Sequence, residues 1–164
     1  MDWVVLTIFF GACVAAASTG SLFPTGSWYR ELDKPRWTPP DWIFPIAWTF
    51  FYTSLAVSAA RVAMVDENHY AIALWSFHIA LNTLWTPVVF GAHNLFIGMI
   101  VMILLWLSTL GVIITFYFLD TFSGLLLSPY LLWVSFAAGL NYSLWLRNPD
   151  KEKLRPVALM ILIF

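Results

Sequence analysis

Five apolar runs follow one another along this chain, at about residues 3–23, 43–65, 70–91, 95–118 and 122–146. Each is near or above the roughly 20 residues a helix needs to cross a bilayer core. Asp and Glu are missing from the middle of all five, and Arg61 lies near an end, where its guanidinium can reach the interface. Strands are not the natural reading. The runs are too long, they lack strict alternation, and an unclosed sheet cannot satisfy its backbone in lipid. The expectation is an all-α integral membrane protein, a bundle of five transmembrane helices with a long proline- and tryptophan-rich loop between the first two. Composition agrees: 10% of the 164 residues are charged and mean hydropathy is +0.80, whereas soluble domains carry about 25% charged residues. A net charge of −1 gives no argument for a nucleic-acid partner.

The first run contains Ala15-Ala16-Ala17, which imitates a signal-peptidase site. The only early charge is Asp2, however, and a signal peptide starts positive, so the run is read as a retained helix. Gly11, Ala12, Ala15, Ala16 and Gly20 allow close helix packing, within one monomer or across a dimer. Ser76 and Ala80 in the third run form a second such seam, so the dimer face stays open. Seven of the eight basic residues (Arg30, Lys34, Arg36, Arg147, Lys151, Lys153 and Arg155) fall on one side, with Arg61 alone on the other. The positive-inside bias then places the first loop and C-terminus in the cytoplasm and the N-terminus outside. Short links make the third, fourth and fifth helices antiparallel neighbours. One domain occupies residues 1–148. The tail 149–164 is solvated at first and ends in nine apolar residues, 156–164, too few to span a membrane.

The stretch from Lys34 to Thr49 packs three tryptophans and four prolines into the longest polar connection. Proline holds φ near a fixed value, so the loop is expected to be a stiff lid. Asp41 is expected to cap the second helix, with Pro45 in its first turn. Trp48 and Tyr52 then stand one turn apart on one face. In the third helix His78, Asn82 and Trp85 recur at helical spacing, and Thr86-Pro87 should kink or end it. The fourth is apolar all round. In the fifth, Pro129 implies a bend, and Trp133, Ala137, Leu140 and Asn141 fall on or near one face. Two readings remain for the polar and aromatic groups within spans. They bridge helices, or they line a cavity with aromatic walls and a few orienting polar groups.

Familiar catalytic constellations are missing. No carboxylates pair within the membrane, no glycine-rich phosphate loop occurs, and Cys13 has no nearby histidine and reads as a packing residue. His69, His78 and His93 lack metal-ligand spacing, so no metal site is expected. His78 reads as a helix-bridging residue. A proton relay would need more ionisable groups inside the membrane.

The run Lys34-Pro35-x-Trp37-x-Pro39-Pro40-x-Trp42-x-Phe44-Pro45-x-x-Trp48-Thr49-x-x-Tyr52 resembles the signature loop and second helix of the TspO/MBR family. These are the bacterial tryptophan-rich sensory proteins and the mitochondrial translocator protein, or peripheral-type benzodiazepine receptor. Asn82-x-x-Trp85-Thr86-Pro87-x-x-Phe90-Gly91 resembles the family's third-helix motif, and Pro129-Tyr130-Leu131-x-Trp133 with Leu140-Asn141 its fifth. The likeness covers about residues 1–148; the basic tail and compact loops read as bacterial rather than mitochondrial, hence the inner membrane is expected.

The resemblance implies a five-helix bundle, often a homodimer, with a pocket under the first loop that binds porphyrins, sterols and drug-like ligands. Tyr29 and Pro39 would stand on its loop side, and Trp48, Asn82, Trp85, Trp133, Ala137 and Leu140 would form its wall. Leu140, Tyr142 and Arg147 match the family's sterol-recognition pattern, which equally suits an ordinary helix end at the interface. The implied function is a receptor or sensor for tetrapyrroles such as protoporphyrin IX that regulates porphyrin metabolism or a stress response, with no cofactor required. Two alternatives accompany it. One is light- and oxygen-dependent porphyrin degradation, in which Trp48 and Trp133 would be catalytic; the other is carriage of porphyrin or sterol.

Overall fold

A computed structural model describes residues 2–151, so the apolar tail 156–164 lies outside the described residues. The helices are α1 (Trp3–Leu22), α2 (Ser27–Arg30), α3 (Ile43–Val62), α4 (His69–Thr86), α5 (Leu95–Leu119) and α6 (Thr121–Arg147). All but α2 are long and apolar enough to cross a membrane, so the chain has five transmembrane helices among the described residues. The short α2 lies within the first loop and has no counterpart in the apolar pattern.

Helix ends follow local chemistry. The Asp2 side chain accepts from the Val4 amide at 2.8 Å, and Asn94 accepts from the Ile97 amide at 2.8 Å, capping α1 and α5. Asp41 does not cap α3, contrary to expectation. The Ile43 amide donates to Pro40 O at 3.0 Å, so residues 40–43 form a turn and the helix starts two residues later, after an N-cap Trp42 without a side-chain cap. Thr86-Pro87 ends α4 as expected, and the backbone continues through a wider π-turn, Pro87–Gly91, closed by Ala92 N–H to Pro87 O at 2.8 Å. Pro129 stands inside a continuous α6 and has no amide for Leu125 O. Ser128 Oγ donates to that carbonyl at 2.8 Å, meeting in lipid a need that water would meet elsewhere.

Around the bundle the order is α1, α3, α6, α5, α4 and back to α1. Only Asp120 separates α5 from α6, and a Cβ at Gly124 would sit 2.6 Å from Tyr117 Cα. That approach requires glycine. The core includes Leu55, Ala56, Ala59, Phe116, Leu127 and Val134, all fully buried. At one end Arg61 forms a two-pronged pair with Asp120, at 2.7 and 2.9 Å, and Ser123 Oγ also donates to that carboxylate. At the other end the first loop is tied to the C-terminal end of α6. Asn148 accepts from the Asp33 amide at 2.8 Å and donates to Asp33 O at 3.0 Å. Trp28 Nε1 donates to Lys151 O at 2.9 Å, and the Lys151 ammonium donates to Glu31 O.

Candidate ligand-binding cavity

Beneath the first loop the helices enclose a cavity of about 580 Å³. α3 contributes Phe44, Pro45, Trp48 and Tyr52; α4 contributes Asn82 and Trp85; α6 contributes Trp133, Ala137, Leu140 and Asn141. The i, i+3, i+4 rows of α4 and α6 bring these residues to one side of each helix. Trp48 stacks on Tyr52 with centroids 5.4 Å apart and planes at 29°. Trp133 meets Phe44 at 5.9 Å and Phe136 at 5.7 Å. The walls are therefore flat and aromatic, and the volume lies within the range of small-molecule sites.

Most residues expected in the pocket meet there: Tyr29, Trp48, Asn82, Trp85, Trp133, Ala137 and Leu140 all line the cavity. Pro39 does not. Trp37, two residues earlier, packs against α6 instead, 5.5 Å from the Phe136 ring and beside Gly139, neither of which lines the cavity. Asp41 and Pro45 reach the lining instead. Trp37 and Trp42 are largely exposed. The sterol-pattern residues do not share a surface. Leu140 faces inward, Tyr142 is exposed, and Arg147 pairs with Asp33 of the first loop at 3.4 Å.

Sequence reasoning missed α1. Cys13, Ala16, Ala17 and Gly20 form a cavity wall, and Met102 of α5 joins them. Small residues on one face were the available signal, but they equally suit a packed seam. Tyr29 at the rim is buried, which raises its hydroxyl pKa above the ordinary value, with the Asp41 carboxylate as the second cause. The Lys34 ammonium lies 4.1 Å from the Tyr29 ring centroid, a cation–π contact that brings positive charge to the rim.

Asn82 is held by protein partners. Its Oδ1 accepts from Tyr52 Oη at 3.1 Å, and its Nδ2 donates to Tyr130 Oη at 2.7 Å. Helix bridging and cavity lining therefore coexist in one residue. Trp85 Nε1, Trp133 Nε1 and Asn141 Oδ1 are buried without a hydrogen-bond partner. They are shut off from water, so a ligand reaches them only where side chains over them move aside. Asn141 Nδ2 donates to Leu95 O at 3.1 Å and bridges α6 to α5.

The model of the TspO/MBR family matches residues 4–146. Protein CrtK of Rhodobacter capsulatus is 44% identical over 156 residues, covering 93% of this chain and 98% of that protein. The tryptophan-rich sensory protein of Cereibacter sphaeroides is 39% identical, covering 94% and 98%. The human translocator protein is 28% identical, covering 89% and 91%.

Proposed function

Because the chain belongs to the TspO/MBR family, we propose that it is a membrane receptor or sensor that binds tetrapyrroles such as protoporphyrin IX beneath the first loop and regulates porphyrin metabolism or a stress response. The names of two relatives, a sensory protein and a translocator protein, support the receptor class. The observation that carries the ligand class is the cavity itself, whose walls hold Trp48 and Trp133 on neighbouring helices. A flat conjugated ring gains area burial and stacking there. Arg30, Lys34 and Arg36 in the loop favour a ligand edge bearing carboxylates. In the same reading the first loop and C-terminus are cytoplasmic, the membrane is a bacterial inner membrane, and the protein is a homodimer. The small-residue faces with Gly11 and Ala15 on α1, or Ser76 and Ala80 on α4, are exposed and available for that contact.

Titration of protoporphyrin IX, followed by its own absorbance, tests the pocket. The Trp48→Phe, Trp133→Phe double variant should bind about tenfold more weakly, the loss expected for two aromatic contacts. Unchanged affinity would remove these walls from the site. Illumination in air separates sensing from degradation. Loss of bleaching in the double variant, with porphyrin bound at saturation, would support degradation by the two indoles; equal bleaching assigns it to the ligand as sensitiser.

A further inference from the structure

The seam between α1 and α3 is closed toward one end and open toward the other, and each helix records the change along a single face. On α3 the row Pro45, Thr49, Thr53, Ala56, Ala60 follows the helical repeat along one side. Ala56 and Ala60 are 0% exposed, whereas Pro45, Thr49 and Thr53 are exposed. That side faces α1. Ser58, on the opposite flank, donates to Ser123 O of α6 at 3.3 Å, and α3 stands between α1 and α6 in the ring. On α1 the row Cys13, Ala17, Gly20 changes in the same way toward the first loop. Cys13 is 1% exposed, while Ala17 and Gly20 are exposed. A Cβ at Gly20 would meet nothing within 4 Å.

The exposed members of both rows also line the cavity: Ala17 and Gly20 from α1, and Pro45, Thr49 and Thr53 from α3. A residue that borders the cavity and is also exposed marks where the cavity reaches the outside of the bundle. Because such residues stand on two neighbouring helices, the cavity opens sideways through a slit between them. The slit extends from the loop down to Cys13 on α1 and Ala56 on α3, roughly 14 to 20 Å at the rise of an α-helix. That is about half of a hydrocarbon core about 30 Å thick, so the slit faces the leaflet on the loop side. Its edges offer no free donor on α3, since the Thr49 and Thr53 hydroxyls donate to Pro45 O and Thr49 O, each at 2.8 Å. Above the cavity the loop is fastened to the end of α6 through Asp33 and Asn148. Gly11 and Ala15, the small residues available for dimer contact, lie on another side of α1 and leave the slit uncovered.

We propose that the cavity is loaded from the loop-side leaflet through this slit, by planar apolar molecules dissolved in the bilayer, and that Ala17 and Gly20 set its width. A flat ring system entering edge-on needs only its own thickness, which small residues at the edge leave free. The inference rests on the cavity being a ligand site. It adds a route and a requirement: the ligand partitions into the membrane before it binds.

Two experiments test it. The first needs no ligand and uses an acyl chain as the least demanding gauge of the slit. The full chain is placed in nanodiscs of phosphatidylcholine that carries a diazirine midway along one acyl chain, irradiated, and its adducts mapped by mass spectrometry. Adducts are expected inside the cavity, at Trp48 or Tyr52, as well as on the outer face of α3 at Ile46 and Phe50. The Ala17→Leu, Gly20→Leu double variant should lose the interior adducts and keep the outer ones. Adducts confined to the outer face in the wild type, or interior adducts that persist in the variant, would overturn the proposal. In the second experiment the binding and release rates of protoporphyrin IX are followed in the same nanodiscs. Both rates should fall about tenfold in the double variant, the effect of a barrier higher by about 1.4 kcal/mol in each direction. Unchanged rates, or faster release with unchanged binding, would make Ala17 and Gly20 ordinary wall residues and overturn their role as a gate. Failure of protoporphyrin IX to bind the wild type would strike the receptor reading, and the lipid adducts would still decide whether the slit is open.

Discussion

Single residues here are used for more than one task. Asp120 makes up the whole link between α5 and α6 and pairs with Arg61 of α3. The hydrogen bond from Arg61 is the largest cause holding its pKa down to about 2, with further help from Ser123. A carboxylate with a lowered folded-state pKa stabilises the fold above the unfolded value of about 3.9, and that stabilisation is lost as pH falls through the folded value. The thermal-stability gap between wild type and Asp120→Asn should therefore be constant near neutral pH and close between about pH 4 and pH 2. A gap independent of pH would remove the ion pair as its source. From its apolar neighbours Cys13 reads as a packing residue, and it is buried; that it also borders the cavity leaves no trace in the sequence, because a small residue looks the same against a helix and against a void. Asn82 and Asn141 illustrate the same ambiguity. Both bridge helices and both line the cavity, and spacing along a helix cannot distinguish the two uses.

Among the elements, the first loop departs most from its apparent simplicity. Its prolines suggest a stiff strap held by its own backbone. In the fold it is also tethered at its N-terminal half by α2, Asp33 and the Asn148 side chain, and its middle is pinned to α6 by Trp37. Asn148 offers both a donor and an acceptor to one peptide, so Asn148→Ala removes two bonds at once. Each contributes on the order of 1 kcal/mol. The variant should show faster proteolysis within residues 27–42 and faster release of bound protoporphyrin IX, with the five spans unaffected by circular dichroism. Unchanged proteolysis would mean that proline stiffness alone holds the loop. The spans themselves were legible in sequence to within a few residues, because length and hydropathy decide them. The start of α3 was not, since a capping aspartate and a turn aspartate have the same local sequence, and the contacts of the loop choose between them.

At the scale of the whole molecule, five helices close into a ring around a core and leave a cavity toward one end. The orientation proposed for that ring rests on the positive-inside bias of its connections. In a background of Cys13→Ala, a membrane-impermeant maleimide should label Asp66→Cys from outside intact cells and leave Arg36→Cys unlabelled until the cells are broken. The opposite pattern would invert the topology. By itself the sequence determined the five spans, their order and the charge asymmetry of their connections, because bilayer thickness and the exclusion of charge from lipid act on each segment alone. It also carried the three aromatic motifs of the cavity. Only the tertiary structure decided which small residues of α1 face a void, where Pro39 stands, and how His78, Tyr130, Asn82 and Tyr52 meet in one hydrogen-bonded cluster. Those outcomes depend on which helices meet and at what rotation, and the pairing of residues tens of positions apart leaves no mark on local hydropathy.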